Sequence, residues 1–474
     1  MTERFPRRIY LLSPRHLSPE TIAVAFAKTS RSPLSFDEIA AELTDQASAQ
    51  FHDRWVVGYG HASVAEHAVL HIAFENVSRL AIEAIESARL ASYTEKSTRY
   101  QKWDPGSYAV APEIAGTKQE ALYRHTCDEL FAAYLSSLEP VRSHVQRLAP
   151  RREGESDEKW DGRIRSRYVD ACRFLLPAAA LANVGMTANA RVLERTIRKL
   201  LSHPLQEVRD IGDALRRTAQ AEVPTLLKYA DSSEYLRRSA ASVEWRGEAI
   251  RSDVLRPGVR LIAYDPQAES RLLAAALFTS AGGSFEDCLQ HILALDPDRL
   301  KALADEVLGG MGRFDVPARL IEHSTCTVEV ILDQGAYLEL KRHRMMTQTP
   351  QRLTVELGFA VPRLISLAGL EPVYRQAMDA ARRAYHELAG WNPDVASYVV
   401  PNAFNRRVLL TLNLREAYHF CELRSAANAH FSMRRIALQL AEEIRRVHPL
   451  LAGYMRLPED ADWRAVEAEH FTQV

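Results

Sequence analysis

Residues 66–100 read EHAVLHIAFENVSRLAIEAIESARLASYTEKSTRY, and residues 322–347 read EHSTCTVEVILDQGAYLELKRHRMMT. In both stretches a Glu-His pair opens a segment in which every second residue is apolar, and a basic segment follows. A period of two is typical of a half-buried strand. Counted from each Glu-His pair, the inward-facing positions coincide: Leu70, Ile72 and Phe74 match Cys326, Val328 and Val330. This shared register predicts a tandem duplication, and the long spacing points to two fused domains.

The starts of the two halves also match. Residues 8–14 read RIYLLSP and residues 260–266 read RLIAYDP, and a helical pattern follows each segment. We therefore expect each half to begin with a short strand and a helix. The polar stretch at about 231–257 is the predicted connection, so the predicted domains are residues 1–235 and 258–474.

Late in each half, a bulky residue and a proline precede an Asn-x-Arg motif. The motifs are Leu176-Pro177 with Asn189-Ala190-Arg191, and Val400-Pro401 with Asn413-Leu414-Arg415. An amphipathic helix is predicted after each Asn-x-Arg, and the clearer one covers residues 414–447.

Composition narrows the class of protein. The chain has 474 residues, of which 47% are hydrophobic and 26% charged, so it can bury two ordinary cores. A net charge of -1 gives no general attraction to nucleic acid, and we expect no nucleic-acid partner. Five cysteines without a CxxC pair argue against a metal site and a disulfide framework. No apolar run is long enough for a membrane span or a signal peptide, so a cytoplasmic protein without membrane association is expected.

Two basic motifs could bind anions. Arg342-His343-Arg344 places potential cations in a row, and Ser97 with Arg99 could face one ligand from an extended loop. Arginine is suited to bidentate capture of phosphate or of carbonyl edges. Taken alone, each motif is more often a solvated surface patch. Common nucleotide and metal fingerprints such as GxGxxG and HExxH do not occur in the sequence.

Taken in order, these pieces resemble the flavin-dependent thymidylate synthase family. The family pattern runs Gly-His-x-Ser/Thr-x-x-Glu-His, a strand, Arg-His-Arg followed by a serine, Arg-x-x-Leu-Pro, Asn-x-Arg and a late Leu-Arg. The first half matches at GHASVAEH (60–67), SARLASYTEKSTRY (87–100), RFLLP (173–177) and NAR (189–191). The second half matches at EH (322–323), RHR (342–344), NLR (413–415) and LR (423–424).

The resemblance implies a fold and a set of site residues. The implied fold is α+β, with two tandem domains that each have a central sheet and flanking helices. The residues implied to hold the flavin are Arg342, His343, Arg344, Asn413, Arg415, Asn189, Arg191, His61 and Glu66. The residues implied to hold the nucleotide are Glu95, Ser97, Arg99, Arg173 and Arg424, and the candidate catalytic residues are Arg344, Arg424 and Ser97. For Glu322-His323 a structural role is favoured, because the preceding Gly-His is replaced by Phe314-Asp315.

Each half departs from the family pattern in a different place. The first half keeps only Arg89 of the triplet and has Lys199 or Leu200 at the late arginine. The second half has Arg352 in place of the serine and Ser397 in place of the arginine before the Leu-Pro. The resemblance implies active sites that form between neighbouring subunits of a homotetramer. The complementary losses then predict composite sites, which take the anion-binding loop from one half and the Arg-His-Arg from the other. A homodimer that acts as a pseudo-tetramer is expected.

The reaction implied by the resemblance is reductive methylation of dUMP to dTMP. Its cofactors would be FAD, NADPH and methylenetetrahydrofolate, and the protein would place the rings and stabilise developing charge. Two alternatives stay open: a related flavoenzyme that modifies another pyrimidine nucleotide, which the altered positions Arg352, Ala84 and Glu339 would allow, and an inactive homologue that binds flavin or nucleotide.

Overall fold

A computed structural model describes residues 10, 12–29, 32, 34–58, 62–247, 250 and 256–474. The chain forms two compact units. The first unit comprises Met1–Lys96, Ala111–Ala115 and Leu181–Arg251, and the second comprises Ser97–Val110, Gly116–Ala180 and Ser252–Val474. The second unit thus contains much of the first sequence half, and the repeat boundaries at 1–235 and 258–474 stay a prediction.

The described chain mixes helices and strands throughout. Up to residue 247 the elements are α1 (Pro19–Lys28), α2 (Phe36–Ala41), α3 (Asp45–Phe51), β1 (Val69–Ser78), α4 (Arg79–Ile85), β2 (Ser92–Glu95), α5 (Glu120–Leu148), α6 (Asp157–Cys172), β3 (Leu181–Asn189), α7 (Ala190–Leu201), α8 (Gln206–Gln220) and α9 (Glu234–Gly247). After residue 257 they are β4 (Gly258–Tyr264), α10 (Ala268–Phe278), α11 (Phe285–Leu293), α12 (Pro297–Leu308), β5 (Thr325–Asp333), α13 (Gln334–Leu340), β6 (Thr347–Pro350), β7 (Val361–Pro362), α14 (Arg363–Leu367), α15 (Glu371–Ala389), α16 (Pro393–Ala396), β8 (Asn405–Asn413), α17 (Leu414–Ser425), α18 (Phe431–Val447), α19 (Pro449–Ala452), α20 (Trp463–His470) and β9 (Phe471–Gln473).

The first unit contains an antiparallel sheet in the order β1-β3-β2. β1 pairs with β3 from Val69 opposite Asn189, and β2 pairs with β3 from Ser92 opposite Thr187. Alternate side chains of β1 face the core, as the sequence pattern predicts, with Leu70 and Phe74 buried. The strand predicted near residues 8–12 lies largely outside the described residues.

The second unit repeats this arrangement with one more strand, in the order β4-β5-β8-β6. On β5 the alternating residues Cys326, Val328 and Val330 are buried together with residues of β8 and α18. The strand and helix predicted at the start of the second half are present as β4 and α10. Both units therefore have the α+β architecture that was expected, with a central sheet and flanking helices.

The two Pro-containing segments pair with each other inside the second unit. Pro177 and Pro401 form an antiparallel bridge. The Ala178 amide donates to the Val400 carbonyl and the Asn402 amide donates to the Leu176 carbonyl, both at 2.9 Å. Equivalent atoms of the two repeats thus exchange hydrogen bonds, which is the pattern of an isologous, twofold contact. The pairing joins the segment that follows α6 to the segment that follows α16.

The prediction of a single helix over 414–447 is wrong in one respect, because the segment forms two helices, α17 and α18. Ala426 has an extended conformation (φ −58°, ψ 146°), which ends α17. The His430 side chain then accepts a hydrogen bond from the Ser432 amide and caps α18. The linker between the helices exposes backbone groups, and one of them, the Asn428 carbonyl, is used by the site described below. Within the described residues, no helix combines the length and the apolar character needed to cross a membrane.

Candidate functional site

Both Asn-x-Arg motifs sit at the start of a helix that follows a central strand. Asn189 is the N-cap of α7 and accepts a hydrogen bond from the Val192 amide at 3.0 Å. Asn413 is the N-cap of α17 and accepts from the Glu416 amide at 2.8 Å. An Asn side chain at this position satisfies one of the otherwise unpaired amides of the first turn. Both asparagines thus have a local structural role, and their predicted contact with flavin stays a prediction.

The arginine of each motif pairs with the glutamate of a Glu-His motif. Arg191 bonds Glu66 in the first unit, and Arg415 bonds Glu322 at 2.8 Å in the second. These pairs tie the 3-10 turn before each sheet strand to the first turn of the following helix. The role favoured for Glu322-His323 is consistent with this contact. His61, the other residue predicted in this region, lies outside the described residues.

The loop that is predicted to bind anions begins at Ser97, in the second unit. The Arg99 guanidinium donates to both carboxylate oxygens of Asp170, at 2.8–3.0 Å, and its Nη1 donates to the Asn428 carbonyl at 2.9 Å. The Ser97 hydroxyl accepts a hydrogen bond from the Arg99 amide at 3.2 Å. Burial on its own would lower the pKa of Arg99, but the bonds to Asp170 raise it above its usual value. Arg99 is therefore a charged side chain, tied to α6 and to the α17–α18 linker.

Arg173 is the buried centre of the site, since its side chain is 2% exposed. Its Nη1 donates to the Thr98 hydroxyl at 2.8 Å. Its Nη2 lies 3.4 Å from Glu339 Oε1, and its Nε lies 3.9 Å from Asp170 Oδ1. Arg173 thus holds the middle of the 97–99 turn and lies between two carboxylates, where a ligand has almost no access to it.

Arg424 reaches the same carboxylate from α17. Its Nη1 donates to Glu339 Oε2 at 3.1 Å and its Nη2 to the Glu339 carbonyl at 3.3 Å. Its Nε donates to His343 Nε2 at 2.8 Å. Burial lowers the pKa of Arg424, while Glu339 acts against that effect, and the charges of Arg342 and Arg99 lower it further.

The contact with Arg424 fixes the protonation of His343. Because a guanidinium only donates, His343 Nε2 must be the acceptor and carries no proton. The proton of the neutral ring is then on Nδ1, which lies 3.2 Å from Glu416 Oε1 and donates to it. Burial lowers the pKa of His343, although Glu416 opposes this effect. The histidine of the Arg-His-Arg motif is therefore a neutral, buried support for Arg424.

Five side chains form an alternating series of charges, which we call the charge chain: Arg99, Asp170, Arg173, Glu339 and Arg424. Its first three members come from the first sequence half and its last two from the second. The middle members are buried, whereas the side chains of Arg99 and Arg424 at the two ends are each 16% exposed. The charge chain can therefore present two guanidinium groups, those of Arg99 and Arg424, at a fixed separation to an anionic or carbonyl-bearing ligand.

The two acidic members were not among the predicted site residues. Asp170 precedes Arg173 by one helical turn, and this spacing was a usable signal in the sequence. The sequence identifies Glu339 only as an altered position. It gives no sign that Glu339 joins Arg173 of the first half to Arg424 of the second.

The remaining predicted residues lie around this series or apart from it. Arg342 is exposed and Arg344 half-buried, on the turn between α13 and β6. Guanidinium groups there have donors suited to a diphosphate or to the carbonyl edge of a flavin ring, so the residues present are chemically compatible with FAD. Glu95 belongs to the first unit, where it forms a buried ion pair with Arg79 at 2.6 Å. Its predicted contact with the nucleotide stays a prediction.

Strand register fixes which positions of the two halves correspond. Ser92 opposes Thr187 as Thr347 opposes Thr411. Counted from these pairs, Leu200 corresponds to Arg424, which resolves the Lys199 or Leu200 ambiguity of the sequence. The other counterparts of the charge chain are Thr354 for Arg99, Asp394 for Asp170, Ser397 for Arg173 and Ala84 for Glu339. If the roles of the two halves are exchanged, the corresponding set of five positions therefore contains no arginine.

Comparisons with known proteins find matches to one family in both halves of the sequence. The sequence profile of the family described as "Thymidylate synthase complementing protein" matches residues 14–225 and 260–450. A UPF0159 protein of Chlamydia muridarum is 31% identical over 441 residues, covering 89% of this chain and 83% of that protein. The UPF0159 protein Ta1429 of Thermoplasma acidophilum is 31% identical over 463 residues, covering 89% of this chain and 91% of its own length.

Shorter relatives match about half of the chain. A flavin-dependent thymidylate synthase of Clostridium tetani is 26% identical over 221 residues, which cover 46% of this chain and 84% of the relative. The crystal structure of a flavin-dependent thymidylate synthase from Helicobacter pylori, complexed with FAD and dUMP, aligns with 42% of this chain and all of its own at 22% identity and a TM-score of 0.32. From the two profile matches and the long alignments, the chain belongs to the thymidylate synthase complementing protein family, which includes the flavin-dependent thymidylate synthases.

Proposed function

We propose that this protein is a flavin-dependent enzyme that converts dUMP to dTMP by reductive methylation, with methylenetetrahydrofolate as the one-carbon donor and NADPH as the reductant. Family membership supports a flavoenzyme that acts on dUMP. The observation that carries the proposal is the charge chain, in which the arginines that the family resemblance assigns to the nucleotide come together from both sequence halves.

The two partly exposed ends of the charge chain bind different parts of dUMP in this proposal. Arg99, with the Ser97 hydroxyl, binds the phosphate of dUMP, because guanidinium and hydroxyl donors suit a dianionic phosphate. Arg424 donates to a carbonyl of the uracil ring. Arg173 supports substrate binding indirectly, because its buried guanidinium holds Thr98 and Glu339 and has little surface for a ligand.

The turn between α13 and β6, which carries Arg342 and Arg344, is proposed to hold FAD. Asn413 and Arg415 in the second unit, with Asn189, Arg191, Glu66 and His61 of the first half, belong to the wider set carried over from the family. Bound FAD, reduced by NADPH, supplies the hydride for the methylation. Arg344 and Arg424 stabilise the negative charge that develops on the uracil carbonyls as the ring is activated.

Because the charge chain lies within one compact unit of one chain, variants of its two ends cannot complement each other. We expect Arg99→Ala and Arg424→Ala each to abolish measurable dUMP binding, and a mixture of the two purified variants to regain none. Arg446→Ala is the matched control, since this exposed arginine pairs with Glu443 on its own helix and its loss is expected to leave dUMP binding intact. Recovery of binding in the mixture would contradict a site built within one chain.

A first experiment separates the proposal from its alternatives. The purified protein is expected to be yellow, to show flavin absorbance and to support growth of a thymidine auxotroph, and Arg344→Ala is expected to lose the flavin. Flavin without rescue would favour action on a different pyrimidine nucleotide. Absence of both flavin and rescue would favour an inactive homologue. A homodimer is proposed as the assembly, and light scattering of the purified protein tests it.

A further inference from the structure

We propose that Glu339 is a positioning residue that sets the pyrimidine selectivity of the site by fixing the guanidinium of Arg424. The inference rests on the proposed function, because it assigns the Arg424 donors to a carbonyl of the uracil ring. Glu339 itself touches no ligand in this scheme.

Glu339 holds Arg424 with two different groups. Its Oε2 accepts from Arg424 Nη1 at 3.1 Å, and its main-chain carbonyl accepts from Arg424 Nη2 at 3.3 Å. His343 adds a third contact, to Nε, so every nitrogen of the guanidinium is bound from α13 or the turn after it. A guanidinium has five N–H groups in a rigid plane. With three of them used, the orientation of the remaining two is fixed, and they can serve a ligand.

The other carboxylate oxygen ties this geometry to the phosphate end of the site. Glu339 Oε1 lies 3.4 Å from Nη2 of Arg173, which in turn holds Thr98 next to Arg99. The side chain of Glu339 is 6% exposed, so water screens these contacts poorly. Glu339 therefore couples the position of the ring donor to that of the phosphate donor.

A fixed donor at the pyrimidine edge discriminates between bases. Uracil presents a carbonyl acceptor at position 4, whereas cytosine presents an amino group, which is itself a donor. A rigid guanidinium rejects cytosine because two donors face each other and neither finds a partner. A guanidinium that is free to rotate can turn away, and the discrimination is then lost. The front-half counterpart of Glu339 is Ala84, so the second repeat alone supplies this carboxylate at the corresponding position.

The test measures dissociation constants of dUMP and dCMP by calorimetry, using the purified protein with its bound flavin. We expect Glu339→Gln to reduce the ratio of the dCMP to the dUMP constant by about tenfold or more. Asp170→Asn, which loosens Arg99, is expected to weaken both nucleotides by a similar factor and to preserve the ratio. Glu356→Gln is the matched control, because this exposed carboxylate lies in the same unit and pairs with His386, outside the charge chain. An unchanged ratio in Glu339→Gln would overturn the inference.

The outcomes remain separable from those of the proposed function. If the wild-type protein binds no dUMP, both the proposed function and the inference that rests on it are wrong. If wild type prefers dUMP and Glu339→Gln keeps the same preference, the inference alone fails. Should Glu339→Gln not fold because Arg173 loses a partner, Glu339→Asp is measured instead. Its shorter side chain keeps the charge but reaches Arg424 less well, so the ratio is expected to fall in the same direction. A general loss of stability would weaken both nucleotides equally, so it cannot produce the expected change.

Discussion

The Asn-x-Arg helix starts and the charge chain both contain residues of the family pattern, but the helix starts occur in both units and the charge chain in only one. Each unit has an asparagine cap and an arginine paired with the glutamate of the Glu-His turn. Within the described residues the charge chain occurs once. Of its five counterpart positions only Asp394 can carry a charge, whereas Thr354, Ser397, Ala84 and Leu200 cannot.

This difference separates what the fold needs from what a ligand needs. A cap and an ion pair stabilise every copy of the domain, so both copies need them. A binding site needs only one complete set of groups, and the second set can be lost without harm to the core. We therefore expect motifs that occur in both units to have a structural role, and motifs that occur in one unit to belong to the site. The predictions below test this distinction, from the largest expected effect to the smallest.

The largest effect is expected at the buried centre of the charge chain. Arg173→Met leaves Asp170 and Glu339 close together without the guanidinium between them. Removal of one partner of a buried ion pair typically costs about 3–5 kcal/mol. We expect a loss of that size in the free energy of unfolding, measured with urea, together with loss of dUMP binding.

Ser397 is the control for this change, because it occupies the corresponding place in the other half. Its hydroxyl donates to the Leu353 carbonyl at 2.8 Å, much as Arg173 binds Thr98. Ser397→Ala should cost only about 1 kcal/mol, the usual contribution of one neutral hydrogen bond, and leave dUMP binding unchanged. Equal losses at the two positions would remove the asymmetry between the halves.

An intermediate effect is expected from pH through His343. The ring is neutral in the folded protein because burial lowers its pKa, whereas in the unfolded chain it titrates near its ordinary value. As pH falls below about 6.5 the unfolded state takes up a proton that the folded state resists, so the free energy of unfolding falls. Protonation in the folded state would also break the contact of Nε2 with Arg424.

His343→Gln tests this pH effect. A glutamine carbonyl can accept from Arg424 and its amide can donate to Glu416, but the side chain does not titrate. We expect the free energy of unfolding to depend less steeply on pH between 7 and 5 in the variant than in wild type. The same slope in both proteins would assign the acid sensitivity to other groups.

The smallest effects are expected at the two caps. Asn189→Ala and Asn413→Ala should each cost about 1 kcal/mol in the free energy of unfolding, since each leaves a first-turn amide without its acceptor. Similar losses would support a shared structural role. If Asn413→Ala instead loses flavin at unchanged stability while Asn189→Ala does not, the asparagine belongs to the site as well as to the fold.

The sequence predicted the parts of this structure that depend on local patterns. Alternation at Leu70 and Phe74, and at Cys326 and Val328, identified the central strands. Successive side chains of a strand point to opposite faces of the sheet, so the burial pattern is visible in the sequence. The repeated motifs identified the family. The break in the predicted helix at 414–447 was missed because residues 426–430 contain neither Gly nor Pro. Tertiary contacts outweigh helix propensity there.

The acidic half of the site could not be predicted in the same way. Glu339 lies in a helix of the second half, while Arg173 follows α6 of the first, and their pairing depends on the contact between the two Pro segments. No periodicity in the sequence encodes such a long-range ion pair. The arginines of the charge chain were predicted because they belong to the family pattern. Their acidic partners, Asp170 and Glu339, are identified only by the folded structure.

The central claim is that the two halves together make one site per chain. Calorimetric titration of the purified protein with dUMP tests it most directly, because it counts sites without requiring turnover. We predict one dUMP bound per chain, with binding lost in Arg99→Ala and in Arg424→Ala. Two equivalent dUMP molecules per chain, with one retained in each variant, would mean that each half holds its own site and would contradict the account.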